Sequence, residues 1–268
     1  MVNQPIIMGV LNITPDSFSD GGLFLDSKSA VKQAQLMISE GAGIIDIGGE
    51  STRPGAPEVS IQDELSRVMP VIEALNAQID LPISIDTSKP IVMKEACNAG
   101  ASIINDVNAL RAEGAIEMAA NLGVDICLMH MQGSPRTMQE NPTYDNVVNE
   151  VKDFFHERIS TCKSAGIELS KITIDPGFGF GKNLGHNIAL LKNLSEFKDF
   201  GVSILAGLSR KSMIGALLGE KDVDSRLIGS VTAALIAVEN GADIIRVHDV
   251  AETKDALKVW EQIQNFRG

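Results

Sequence analysis

Three returns of the chain decide the fold: "EGAGIID" at 40–46, "NAGASIIND" at 98–106 and "ENGADIIRV" at 239–247. Each leaves a polar helical stretch, passes through a Gly-Ala step and enters an apolar run with a polar residue near its end. Gly can take the left-handed conformation that ends a helix, so the strand starts at once. A unit of helix, Gly-Ala and strand that recurs predicts a chain of βα modules.

Eight such apolar runs are present: 6–11, 44–48, 83–86, 102–106, 126–130, 172–176, 203–208 and 244–248. They are nearly continuous in apolar residues, as strands covered on both faces are. Amphipathic stretches such as 27–40 and 144–166 lie between them. Eight parallel βα units in a chain of this length close most economically into a (β/α)8 TIM barrel. A doubly wound open sheet is the alternative. No Pro/Ser-rich linker or shift in composition divides the chain, so residues 1–268 are expected to form a single domain.

The 268 residues are 44% apolar but only 4% aromatic, which predicts a core of Ile, Leu, Val, Ala and Met. A net charge of −12 argues against a nucleic-acid partner, because phosphate backbones need a basic face. Small anionic substrates answer to a local site and remain open. Cys97, Cys127 and Cys162 are widely spaced and form no CxxC pair, which suits reduced structural thiols. With no basic leader and no apolar run near the roughly 20 residues that span a bilayer, a cytoplasmic protein without membrane contact is expected.

Two connections are conspicuously long, from Asn12 to about Asp26 and from Gly48 to about Val59. Both follow strands and so belong to the C-terminal face, where barrel enzymes place their chemistry. The second ends at Ser60, which with Asp63 resembles a capping box. The polar residues at the strand ends are Asn12, Asp46, Asp86, Asn105, His130 and Asp175, then Ser209 and Lys211 past strand seven, then Arg246 and His248. A carboxylate at the top of an apolar strand is costly unless paired, and any one of these is equally well read as a cap for the next turn. Asp86, before "TSKP", is the strongest case for capping. The set as a whole divides by chemistry. Asp86, Asn105 and Asp175 suit a heterocycle with adjacent N–H and NH2 donors. Arg53, Arg246 and His248 read as donors and cations for an anion, with Ser51, Thr52 and the Gly48-Gly49 backbone beside them.

Three tempting motifs fail. "PGFGFGKN" at 176–183 lacks the first Gly and the final Ser or Thr of a phosphate loop. Lys211 as a Schiff-base lysine is a weak alternative, because it lies beyond the strand rather than in it. The four His residues show no HExxH spacing, and His130 reads as a wall residue.

With these residues in place the chain resembles the dihydropteroate synthase family of pterin-binding barrels. "MGVLNITPDSFSDGG" and "GAGIIDIGGESTRPGA" look like its two signature stretches, and "SIDTSKP", "IINDV", "IDPGFGFGK", "GLSRKSMIG" and "IRVHDV" follow in order. The resemblance implies a folate-pathway transferase that joins a dihydropterin carrying a 6-hydroxymethyl diphosphate to 4-aminobenzoate. It implies that Asp86, Asn105, Asp175 and Lys211 hold the pterin, and that Thr52, Arg246 and His248 contact the diphosphate. It implies that Asn12 helps to hold Mg2+ with diphosphate oxygens, and that Thr52, Arg53, Pro54, Ser209 and Lys211 lie by the aminobenzoate, flanked by Phe180. The first loop would be a flap, with Phe18 and Asp20 closing the site and Gly21 and Gly22 lending flexibility. Since the family is commonly dimeric, a homodimer is also implied. The rival readings are a folate-binding barrel of a corrinoid methyltransferase system and a Schiff-base aldolase.

Overall fold

The computed structural model describes residues 4–14, 22–53 and 55–266, and of 22–26 the backbone alone. In it the apolar runs become β1 (Ile6–Asn12), β2 (Ile44–Gly48), β3 (Ile83–Asp86), β4 (Ile103–Asp106), β5 (Asp125–Met129), β6 (Ile172–Asp175), β7 (Ser203–Ala206) and β8 (Ile244–Val247). All pair in parallel in sequence order, and β8 returns to β1 with Met8 opposite Arg246, closing the barrel. The helices are α1 (Gly22–Glu40), α2 (Ile61–Asn76), α3 (Pro90–Asn98), α4 (Ala115–Leu122), α5 (Val147–Ser164), α6 (Leu184–Lys192), α7 (Ser212–Leu217), α8 (Leu227–Glu239) and α9 (Val250–Gln264).

The Gly-Ala returns work as predicted. Gly41, Gly100 and Gly241 all have positive φ. In each, the Ala N–H reaches back five residues to close the helix: Ala42 to Met37, Ala101 to Ala96 and Ala242 to Ala237, at 2.9–3.0 Å. The same Ala residues are buried, so the helix end and the strand start are one packed unit.

Within each strand the side chains alternate, and the two sets have different fates. Ile45, Ile47, Ile83, Ile85, Ile104, Ile126, Leu128, Ile174, Ile204 and Ile245 join the helices in the main core. Burying each such side chain stabilises the fold by about 1.5–3 kcal/mol. The opposite set lines the lumen, where Met8, Ile44, Cys127, Leu205 and Ile244 form a separate apolar floor with Ile103 on it. Two residues further along the same strands stand Asp46, Asn105 and Arg246. The lumen therefore turns from apolar to charged within about 7 Å, two strand residues at ~3.3 Å each.

Two expectations about the loops need adjusting. Phe18, Asp20 and Gly21 of the first loop and Pro54 of the second lie outside the described residues. The helix after the first loop begins at Gly22, earlier than Asp26, so Gly22 is its first residue. Asp and Ser at 26 and 27 suit a cap but do not impose one where Leu and Phe before them tolerate helix. The second loop ends as expected. Ser60 Oγ accepts from the Asp63 N–H at 3.1 Å, and its hydroxyl donates to Asp63 Oδ2 at 2.7 Å.

Candidate active site

The strand-end residues meet at the C-terminal mouth of the lumen. Arg246, on β8, spans it: Nε donates to Asp46 Oδ2 at 2.6 Å and Nη2 to Asp86 Oδ2 at 2.8 Å. Asn105 Nδ2 donates to the same Asp46 oxygen at 3.1 Å, while Asp46 Oδ1 meets no donor among the described residues. Two carboxylates thus share one guanidinium. Burial works against the Arg246 charge, but Asp46 and Asp86 overcome it and hold the guanidinium above its ordinary range. Burial pushes the Asp86 carboxyl up to about 7, Arg246 pulls it down, and the Asp46 charge pushes it up again. Asp86 therefore stands poised between its ionised and neutral forms near neutral pH.

Across the mouth stands a second group. Asp175 Oδ1 accepts from the Gly177 N–H at 2.8 Å, and burial raises its carboxyl against the pull of Lys211. Lys211 Nζ donates to the Phe178 carbonyl and lies 4.7 Å from the centre of the Phe180 ring. Burial lowers Lys211 to about 8, opposed by Asp175. Phe180 packs beside Met129, Met131, Met138 and Val107, a soft apolar wall that fits a flat ring.

The remaining predicted residues are more dispersed. Ser209 Oγ is 3.0 Å from His248 Nδ1 and 3.2 Å from its backbone nitrogen. Burial, then Arg246, lowers His248 to about 4, so it is neutral at pH 7 and does not belong among the cations. Thr52 is half-buried and Arg53 is exposed. A cavity of about 400 Å³ opens beside Asp86, lined among others by Ser51, Thr52, Ser88, Met131 and Arg136. That size suits a small organic ligand. Asn105, Asp175, Lys211 and Arg246 are not on its lining, because the Arg246 bridge occupies the lumen between β2, β3 and β8.

This mouth belongs to a known group of enzymes. The profile of the pterin binding enzyme family matches residues 8–248. Dihydropteroate synthase of Haemophilus influenzae is 57% identical over 264 residues, covering 98% of this chain and 96% of that protein. The chain belongs to the dihydropteroate synthase family. Among solved structures, the Yersinia pestis dihydropteroate synthase with a sulfonamide drug complex is 52% identical with a TM-score of 0.93, covering 98% of this chain and 95% of that one. Xanthomonas albilineans dihydropteroate synthase with 4-aminobenzoic acid is 50% identical with a TM-score of 0.94, covering 99% and 95%. The protein is accordingly a transferase with dihydropteroate synthase activity, and the aldolase and corrinoid-system readings fall away.

Within this family fold the structure separates caps from lumen groups. Asp106, the outward neighbour of Asn105, is the true cap: its carboxylate accepts from the Asn108 and Leu110 N–H groups at 2.7 Å each and from the Ser88 hydroxyl. Those bonds hold Ala109 and Leu110 at positive φ, and Arg158 holds their carbonyls at 2.9 and 3.1 Å. Asp86, the strongest capping candidate in the sequence, has no backbone donor among the described residues; Thr87 Oγ1 accepts from the Lys89 N–H instead, at 3.3 Å. The sequence reading also gave Gly49 to an anion. Its missing Cβ also makes room for α2, since a Cβ there would lie 2.9 Å from Val68 and 3.0 Å from Glu64. The loop beyond is pinned by Lys89, whose ammonium is shared between Glu50 and buried Glu64.

Asp46 and Lys182 are among the buried charged groups to which the motif reading assigned no part. Asp46 was legible as a strand-end residue, and its alternation with Ile45 and Ile47 points it inward. Lys182 carried no such signal, because a lysine after a Gly-rich loop reads as exposed.

Proposed function

We propose that the family's reaction runs at this mouth with the labour divided between its two groups. Asp86, Asn105, Asp175 and Lys211 hold the pterin; Thr52, Arg246 and His248 contact its diphosphate. The observation that supports this most is the Arg246 bridge, a cation from β8 already held by two carboxylates on the neighbouring strands β2 and β3. An incoming pterin offers Asp86 a paired N–H and NH2 edge, and that exchange frees the guanidinium to face the anion. His248 acts as a neutral donor rather than a charge.

The C–O bond to diphosphate breaks as the aniline nitrogen forms the new C–N bond and gives up a proton. Positive charge builds on the pterin as the leaving group departs. Asp86 and Asp175 stabilise that charge more than they stabilise the ground state. The aniline is already a nucleophile, so no Ser or Cys is required. Water would capture the same carbon, which makes closure by the first loop, with Phe18 and Asp20, part of the reading. Thr52, Arg53, Pro54, Ser209, Lys211 and Phe180 form the aminobenzoate side.

The donor set fits Mg2+ delivered with its diphosphate. The described residues hold no cluster of three acidic, His or Cys ligands, and the end of β1 offers the Asn12 amide oxygen, near Gly48 and Asp86. Mg2+ commonly takes few protein ligands and completes its shell with phosphate oxygens and water. When bound, it would draw charge from the departing diphosphate.

A single domain over 1–268, a cytoplasmic location and a homodimer belong to the same proposal. Supporting the dimer, Leu217, Leu218, Val223, Ile228 and Ile236 expose apolar surface on and around α7 and α8, Ile228 at 76%. No helix among the described residues is long and apolar enough to cross a membrane. Incubating the protein with the pterin diphosphate, Mg2+ and 4-aminobenzoate should give dihydropteroate by mass detection, and omitting Mg2+ should abolish it. Full product formation with the metal chelated would overturn the metal assignment.

A further inference from the structure

Lys182 is 2% exposed, yet no carboxylate lies within ion-pair distance of it among the described residues. Its Nζ instead donates to the carbonyls of Phe180, Gly177 and His130 at 2.9, 3.0 and 3.3 Å and lies 2.9 Å from His130 Nδ1. Burial pushes the Lys182 amine well below the ordinary lysine range, with Asp175 opposing, and a polar head buried this deeply is tolerated only because these partners satisfy it. His130 is suited to this arrangement. Burial, then Lys182, lowers it to about 2, so its ring is neutral where Nδ1 meets the Lys182 Nζ, and it sits edge-on to Phe154 at 4.9 Å.

Two of the carbonyls gathered by Lys182, those of Gly177 and Phe180, belong to the loop between β6 and α6, and that loop sets three site groups at once. Its Gly177 N–H holds Asp175, its Phe178 carbonyl holds Lys211, and it carries the Phe180 ring that stacks on the Lys211 ammonium. The loop lies so close to the end of β5 that a Cβ at Gly177 would fall 1.9 Å from the His130 carbonyl oxygen. Tyr144 adds an outer clasp, donating to the Gly181 carbonyl at 2.8 Å.

We propose that Lys182 is a positioning residue for the aminobenzoate side of the site: the hydrogen bonds of its buried amino group draw the β5 and β6 ends together and fix Phe180 against Lys211. The inference rests on the reading that Phe180 flanks the aromatic substrate.

The test is a double-mutant cycle between Lys182→Met and Phe180→Leu, read as kcat/KM for 4-aminobenzoate at saturating pterin diphosphate. Lys182→Met should lower kcat/KM about tenfold, through KM more than kcat, since displacing a positioning group by ~1 Å costs up to ~10²-fold. In the Phe180→Leu background the same change should add less than about twofold, because contacting residues couple. Unchanged or additive kinetics in a folded Lys182→Met enzyme would show that Lys182 serves the fold alone. Lys182→Gln, which keeps two N–H donors, should recover part of the loss and stands in if Lys182→Met does not fold. Collapse of both variants overturns the proposal. Phe180→Leu with wild-type kinetics is the separate result that removes Phe180 from the substrate side.

Discussion

The lumen and the outer wall of the barrel are made by the same eight strands, yet they treat polar residues in opposite ways. Asn105 and Asp106 are adjacent on β4. Asn105 faces the lumen and donates to Asp46, leaving its environment to a ligand and to Arg246. Asp106 faces outward, and its carboxylate accepts from two backbone N–H groups and the Ser88 hydroxyl. One residue of register separates a site group from a loop cap. On the outer wall a polar side chain survives by being saturated with local donors. In the lumen the groups are paired across strands, through Arg246, or left partly unsatisfied, as Asp46 Oδ1 is. Unsatisfied and exchangeable pairing is what a binding site requires, and saturation is what a cap requires.

The largest expected effect breaks this comparison most openly. Asp175→Asn keeps an Oδ1 to accept from the Gly177 N–H but replaces the second oxygen with a donor. With a mismatched donor facing the pterin, kcat/KM should fall by about two decades or more while Tm stays close to wild type. An active but destabilised Asp175→Asn enzyme would class Asp175 with Asp106. The matching change on the outer wall, Asp106→Asn, should do the reverse. Turning one acceptor against its donors should destabilise the fold by about 1–3 kcal/mol in denaturant titration and leave kcat/KM within about threefold.

A separate effect concerns pH. Asp86 titrates at about 7 in the fold against 3.8 as a free side chain. The folded protein therefore binds the Asp86 proton more tightly than the unfolded chain. That contribution to stability is fully present below pH 3.8 and is lost as pH rises through 7. His248, lowered to about 4 from 6.5, works oppositely, losing its contribution as pH falls through 4. Comparing wild type with Asp86→Asn isolates the Asp86 part. Wild type should lose stability relative to the variant between pH 4 and 7, by at most about 1.4 kcal/mol per pH unit. A flat difference over that window would mean that Asp86 stays ionised throughout.

The sequence made the barrel legible because its punctuation is repeated. Each Gly-Ala return closes a helix and opens a buried strand by the same hydrogen bond, so three copies were enough to set the period of the chain. The polar strand ends were legible for a related reason, since no buried strand carries so many costly groups without use for them. What remained hidden depended on neighbours distant in sequence. Gly49 gave no local sign that α2 packs against it, because Val68 and Glu64 lie 15 or more residues further along the chain. His248 looked cationic, because nothing local announces its burial beside Arg246. Asp86 was read for the heterocycle but left a capping reading open, because its partner Arg246 lies 160 residues away in the chain. Lys182 offered no hint, since the carbonyls around it come from a folded loop and from His130, 52 residues away.

The division of the mouth into a ring side and an anion side is tested most directly by calorimetry on Arg246→Ala, titrated with the pterin diphosphate and with the bare pterin. Loss of a charge-assisted contact is worth roughly 1.5–3 kcal/mol, about one to two decades in affinity. The pterin diphosphate should weaken by that factor while the bare pterin, held by Asp86, Asn105 and Asp175, changes by less than about threefold. Equal weakening of both ligands would show that Arg246 only braces Asp46 and Asp86, and that the mouth is not divided in this way.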